Sequence, residues 1–292
     1  LEKPTVGFIG LGLMGGNMAE CLLNNGFKLN VMGRNKDAVA AATTLGAIEV
    51  HTPKELAEVS DIIMLCVTTS DVVESLIYGD DGILAGAKKG AVVIDYGTSI
   101  PESTRKIGAD LAAKGVGMLD APLGRTPAHA KDGLLNIMAA GDKETFEKMK
   151  PVLDVQGENV FYFGALGAGH VAKLINNFMG MTTVCAMSQA FAVAERAGLE
   201  TQQLFDVMSA GPSNSPFMQF CKKYAVDDVS DLGFSIANAN KDIAYFVQMV
   251  DDMGTRAQIA EGTAANLQAA LDSGMGDGNV PEIFDYFKKL EK

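Results

Sequence analysis

The stretch TVGFIGLGLMGGNMAECLLNNGFKLNVMGRNKD, residues 5–37, constrains the fold of this chain more than any other. An apolar run at residues 6–9 leads into Gly10, Gly12 and Gly15, spaced Gly-x-Gly-x-x-Gly at the mouth of a helix-compatible stretch. A second apolar run, KLNVM, follows. Strand, glycine turn, helix and strand make a βαβ unit in which each glycine has a task. Gly10 makes the tight turn, Gly12 lets backbone approach a pyrophosphate, and Gly15 lets helix and strand pack closely. The helix N-terminus adds amide donors and the positive end of its dipole. The expected ligand is a dinucleotide.

Further apolar runs recur at residues 61–67, 91–95, 115–120 and 135–141, the early ones alternating with helical stretches. That alternation predicts a parallel sheet, and the runs 62–67 and 91–94 are apolar throughout, as strands covered on both faces should be. Strand signals stop beyond Gly167, and helical stretches follow at 170–197 ended by Gly198, at 201–210, and at 235–253 ended by Gly254. The predicted fold is α/β: a Rossmann dinucleotide-binding domain over residues 1–164, then an all-α domain over 165–292 entered by a long inter-domain helix. A length of 292 residues suits two such domains.

Residues 174–194 carry no charge and approach the length of a membrane span. Asn176, Asn177, Ser188 and Gln189 interrupt them, and the segment reads as a buried helix of a soluble protein. Such a helix is expected to bury surface between subunits, giving a homodimer or homotetramer. A net charge of -12 argues against a nucleic-acid partner. Four separated cysteines without a Cys-x-x-Cys pair fit a reducing cytoplasm, and no metal-ligand spacing occurs. Leu1 points to a trimmed or processed start, and no charged-then-apolar leader precedes the first strand.

The end of the second strand bears on cofactor choice. NAD-binding versions place an acid there for the ribose 2′-hydroxyl. Here Gly33, Arg34, Asn35 and Lys36 come before the first carboxylate, Asp37. A guanidinium clamps a 2′-phosphate, so NADP(H) is favoured, with NAD(H) possible.

Three segments offer groups for a reacting substrate. In GAGHVAKLINNFMG, Lys173, Asn176 and Asn177 share one helix face, an ammonium beside two amides near a buried run. A lysine that merely snorkels to water is the competing reading. In DAPLGRTPAHAKDG, a loop after the strand ending at Asp120, Arg125 and Thr126 can surround an anion. In NANKDIAYF, Lys241 and Asp242 read by themselves as a solvated pair. His51 reads as surface and His170 as part of the helix-entry turn.

GFIGLGLMGGNMA, DAPLGRTPAHAKDG, GAGHVAKLINN and NKDIAY, in that order, resemble the four motifs of the β-hydroxyacid dehydrogenase family over essentially the whole chain. That family includes 3-hydroxyisobutyrate dehydrogenases and semialdehyde, glyoxylate and sulfolactaldehyde reductases. The resemblance implies an NAD(P)-dependent oxidoreductase acting on CH–OH groups, here a reductase of a small acidic aldehyde. Lys173 would be the general acid or base and Asn177 would orient it. Gly124, Arg125, Thr126, Asn176 and Lys241 would bind substrate. Gly10, Leu11, Gly12, Leu13, Met14, Gly15, Arg34, Asn35, Val67, Thr68, Thr98 and Lys241 would bind cofactor.

Most members carry Ser-Gly-Gly where Gly124, Arg125 and Thr126 stand. Gly-Arg-Thr resembles the sulfolactaldehyde reductases, which makes a sulfonated aldehyde the alternative substrate, although Pro127 and His129 depart from their continuation. Gly33 and Asn35 likewise depart from the Asn-Arg-Thr element of NADPH-preferring reductases. A non-catalytic NADP-binding module is the competing class; Lys173 argues against it and against the imine reductases.

Overall fold

The computed structural model describes residues 3–290. The chain divides into two compact units, Leu1–Lys173 and Leu174–Lys292. In the first unit β1 (Val6–Ile9), α1 (Leu13–Asn24), β2 (Leu29–Met32), α2 (Lys36–Thr44), β3 (Ile48–Glu49), α3 (Pro53–Glu58), β4 (Ile62–Leu65), α4 (Ser70–Tyr78) and α5 (Ile83–Gly86) come first. They are followed by β5 (Val92–Asp95), α6 (Pro101–Ala112), β6 (Gly117–Asp120), β7 (Leu123–Gly124), α7 (Pro127–Lys131), β8 (Leu135–Gly141), α8 (Lys143–Gln156) and β9 (Gly157–Tyr162). The helix α9 (Ala168–Arg196) begins in this unit and continues into the second.

The strands lie in the order β3-β2-β1-β4-β5-β6-β8-β7, with β9 on β8. The first six are parallel; β8 runs antiparallel to β6 and β7 and parallel to β9. The order 3-2-1-4-5-6 is that of the doubly wound dinucleotide fold, with its switch point between β1 and β4. Side chains alternate between faces. Val6, Phe8, Ile62, Met64, Val92 and Ile94 join one apolar cluster with residues of α1 and α8. Ile9, Ile63, Leu65 and Val93 join a second with residues of α3, α4, α5 and α6. Every residue of β1, β4 and β5 is therefore buried, which is why these runs are apolar without alternation. The sequence signals missed the two-residue strands β3 and β7, which are too short for any period, and β9, whose glutamate and asparagine hide its pattern.

The second unit is helical: the rest of α9, α10 (Thr201–Ser209), α11 (Pro216–Asp227), α12 (Ile236–Asp252), α13 (Gln258–Ala270) and α14 (Ile283–Lys289). Its core includes Val184, Phe191, Ile243 and Leu267, all fully buried. Gly198 and Gly254, both at positive φ, follow the ends of α9 and α12 as expected. Among the described residues no helix is long and apolar enough to cross a membrane. The uncharged part of α9 is mixed, burying Val184 and Phe191 while exposing Met179 and Val193.

Two glycines fix the β1–α1 crossing. Gly10 holds φ 100, and a Cβ at Gly15 would stand 1.9 Å from the Gly10 carbonyl oxygen. Backbone cannot yield to that contact without moving helix from strand. Gly15→Ala is therefore expected to destabilise the protein by about 1–3 kcal/mol. A urea titration should show a lower midpoint at unchanged slope; an unchanged midpoint would refute the close packing.

Candidate active site

The turns that follow the carboxyl ends of the parallel strands of the first unit lie at the edge at which open α/β sheets bind ligands. The turn after β1 is built for an anion. α1 starts at Gly12 with neither a side-chain cap nor an acidic residue in its first turn. By contrast, Asn35, Thr52, Thr69 and Asp142 cap α2, α3, α4 and α8. The first amides of α1 are left for a ligand, and a Cβ at Gly12 would meet nothing within 4 Å. Leu11 is buried beneath the turn, Leu13 is exposed and Met14 is half-buried against the core. These residues fit a pyrophosphate.

Beyond β2, Arg34 and Asn35 are exposed. The Asn35 side chain accepts the amides of Asp37 and Ala38 at 3.0 and 3.2 Å, and so serves as the cap of α2. Asp37 lies in the first turn of that helix. After β4, Val67 is half-buried and Thr68 exposed.

The turn after β5 is held from below. Asp95 accepts the Gly97 amide and the Ser99 hydroxyl, each at 2.8 Å. The Ile100 amide donates to Ser70 Oγ at 2.8 Å. Half-buried Thr98 is presented between these anchors. After β6, Asp120 accepts the amides of Gly167 and His170, both at 2.7 Å, and so fixes the entry and first turn of α9. Burial pushes its carboxyl above the ordinary range, against the pull of His170 and the two amides. Half-buried Lys173 stands one turn further along α9.

The loop carrying Gly124, Arg125 and Thr126 leans on the glycine-turn helix. Asn17 Nδ2 of α1 donates to the Pro127 carbonyl at 2.9 Å, and Lys131 of α7 pairs with Glu20 at 3.0 Å. Arg125 holds φ 76, a region uncommon for any residue with a Cβ. Its guanidinium donates to the Leu134 carbonyl at 2.7 Å and pairs with Glu158 of β9. Thr126 Oγ1 lies 2.7 Å from His129 Nδ1.

In the second unit, Asn177 is buried and donates to Asp242 Oδ2 at 2.6 Å, while Asn176, which is exposed, donates to Asn177 Oδ1 at 3.2 Å. The expectation that Lys241 and Asp242 form a solvated pair is wrong. Asp242 is 2% exposed, because α12 turns this position toward α9. Lys241 Nζ stands 2.9 Å from Asp242 Oδ1, close as an ion pair but not aligned as a hydrogen bond. His51 is exposed as expected, and His170 is fully buried in the turn that enters α9.

Sequence reasoning gave no role to Asp95, Asp120 or Glu158, and it read Asp242 as solvated. A carboxylate closing an otherwise apolar strand, as in VVID and GMLD, was the available signal for the first two. For the other two there was none. Asn177→Ala would leave the buried Asp242 oxygen without its donor, at an expected cost of about 1–3 kcal/mol. Thermal melts of Asn177→Ala, Asp242→Ala and the double mutant measure this; losses of the two single variants that simply add in the double would sink the coupling.

The comparisons with known proteins agree with this geometry. Residues 5–164 match the model of the NAD binding domain of 6-phosphogluconate dehydrogenase. Residues 167–286 match that of the NAD-binding domain of NADP-dependent 3-hydroxyisobutyrate dehydrogenase. The chain is 33% identical to a probable mitochondrial 3-hydroxyisobutyrate dehydrogenase-like protein of Arabidopsis thaliana, over 99% of this chain and 95% of that one. It is 32% identical to the 3-sulfolactaldehyde reductase of Escherichia coli, over 85% and 84%. A solved Mycobacterium tuberculosis 3-hydroxyisobutyrate dehydrogenase with L-serine superposes with a TM-score of 0.88 at 27% identity, covering 98% of this chain and all of that one. With a Rossmann unit, a helical unit and both family models matched in order, the chain belongs to the β-hydroxyacid dehydrogenase family of NAD(P)-dependent oxidoreductases acting on CH–OH groups.

Proposed function

We propose that this protein is an NADPH-preferring reductase of small aldehydes that carry an acid group, with Lys173 as proton donor. The placement of Lys173 carries the reading. It lies in the turn after the one that Asp120 anchors to the sheet edge, the edge that also bears the uncapped glycine turn and Thr98.

The Gly10–Gly15 turn, Val67, Thr68 and Thr98 would hold a reduced nicotinamide cofactor, which would supply the hydride for the aldehyde carbon. Lys173 Nζ donates a proton to the aldehyde oxygen as negative charge develops there, so the aldehyde leaves as an alcohol. In the oxidative direction the neutral amine takes that proton back. By the family resemblance, Asn176, Asn177 and Lys241 are the substrate contacts proposed for the second unit, and Gly124, Arg125 and Thr126 those proposed for the first. Arg34 supports the NADPH preference, being an exposed guanidinium at the end of β2 with Asn35 committed to the cap of α2.

One observation favours a sulfonated aldehyde over a carboxylated one. Arg125 adopts a left-handed conformation at a place where most of the family has glycine, so a cation is kept there at a conformational cost. Its Nη1 is engaged by Leu134 and Glu158, which leaves Nε and Nη2 for a tetrahedral oxyanion.

Lys173→Ala should reduce kcat by about 100-fold or more while the Kd for NADPH stays near that of the parent. Equal losses in both would contradict the role. Arg34→Ala should weaken NADPH by about 10–100-fold and leave NADH within a few-fold, the value of a charge-assisted phosphate contact. A panel of succinic semialdehyde, glyoxylate, tartronate semialdehyde and sulfolactaldehyde, each with NADH and NADPH, decides the acid group. An Arg125→Gly variant that reduces sulfolactaldehyde as well as the parent would remove the sulfonate reading.

A further inference from the structure

His170 has no part in the chemistry described above, yet it is completely buried among groups that shape the site. The sheet register makes Asp95 and Asp120 direct neighbours at the carboxyl ends of β5 and β6. Both carboxylates are buried, and the imidazole lies against both: Nε2 is 3.7 Å from Asp95 Oδ2, and Nδ1 is 3.8 Å from Asp120 Oδ2. Nδ1 also stands 2.9 Å from Thr104 Oγ1 of α6. Nε2 has no hydrogen-bond partner at all.

An orphaned buried ring nitrogen is costly, and two neighbouring buried carboxylates repel each other. The arrangement is explained by what each carboxylate holds. Asp95 forms the Gly97–Ser99 turn that presents Thr98, and Asp120 forms the first turn of α9. The ring lies against both. Nε2 is about 1 Å too far from Asp95 for a hydrogen bond, a distance that a small settling of the turn would close.

We propose that His170 is a positioning residue that ties the Thr98 turn to the first turn of α9, so that movement of the turn is transmitted to Lys173, one helical turn away. This rests on the reading of Lys173 as proton donor. The bond to Thr104 anchors the ring to α6, and the Nε2 side is the working contact.

Three substitutions separate the two nitrogens, because the amide of glutamine reaches the place of Nε2 and that of asparagine the place of Nδ1, while leucine offers neither. In His170→Leu, kcat for whichever aldehyde of the panel is reduced fastest should fall by about 100-fold, the effect of a 1 Å misplacement, with the Kd for NADPH within a few-fold. His170→Gln should keep most of the turnover, and His170→Asn should fall with His170→Leu. Independently of activity, hydrogen exchange at the amides of residues 97–99 and 167–173 should slow together on addition of NADPH in the parent and in His170→Gln. In His170→Leu the second group should no longer respond.

If His170→Leu turns over like the parent, or if all three variants lose kcat alike and in step with their melting temperatures, the role is refuted. Unlinked exchange in the parent refutes it equally. Lys173→Ala, measured alongside, separates the two claims. If it is inactive while His170→Leu is fully active, only the positioning role falls; if it is fully active, the proton-donor reading falls and takes the positioning role with it.

Discussion

The carboxylate of Asp120 sets the geometry on which the first unit's site depends. It is fully buried at the last residue of β6, and its two oxygens accept the backbone amides of Gly167 and His170. A helix start has unsatisfied amides, and a buried anion is costly unless it is hydrogen-bonded, so each resolves the other's deficit. The outcome is an angle and a depth for the opening turn of a 29-residue helix. Lys173 inherits both because an α-helix is stiff over one turn. Asp95, beside it in the sheet, does the same for the turn carrying Thr98.

Around these anchors the first unit sorts its helix starts into two kinds. Those capped by their own side chains close upon themselves, as α2 does with Asn35 and α3 with Thr52. The start of α1 has no such cap and no acidic residue in its first turn; α5, α6 and α7 also lack a side-chain cap, but α1 opens at the topological switch point of the sheet. Under the proposed reading, an acidic chain, with net charge -12, would meet an anionic cofactor through oriented backbone dipoles. The loop carrying Arg125 is braced on the same helix through Asn17 and Glu20, so the glycine turn and this loop share one support.

Much of this was legible from residues alone. Gly-x-Gly-x-x-Gly between two apolar runs announced the β1–α1–β2 unit, and apolar runs without alternation announced strands covered on both faces. Gly198 and Gly254 marked helix ends because a left-handed residue there needs no Cβ. The pairing of Lys241 with Asp242 misled, because a Lys-Asp dipeptide on a helix is most often solvated, and nothing local shows that α12 turns Asp242 inward to Asn177, 65 residues earlier in the chain. The short strand β7 and the partner of Arg125 were equally invisible, since both depend on β8 and β9 bringing Leu123 beside Ile137 and Glu158 beside Arg125.

The sequence by itself determined the alternation of the longer strands with helices, the glycine turn between β1 and α1 and the residue types able to move a proton or meet an anion, because these follow from periodicity and from chemistry carried within a few residues. Tertiary structure alone decided which carboxylates are buried and what they hold. Burial and pairing depend on strand register and helix docking across long separations, such as that of Asp120 from His170. The desolvation that turns an ordinary aspartate into an anchor exists only once the sheet and its helices have closed around it.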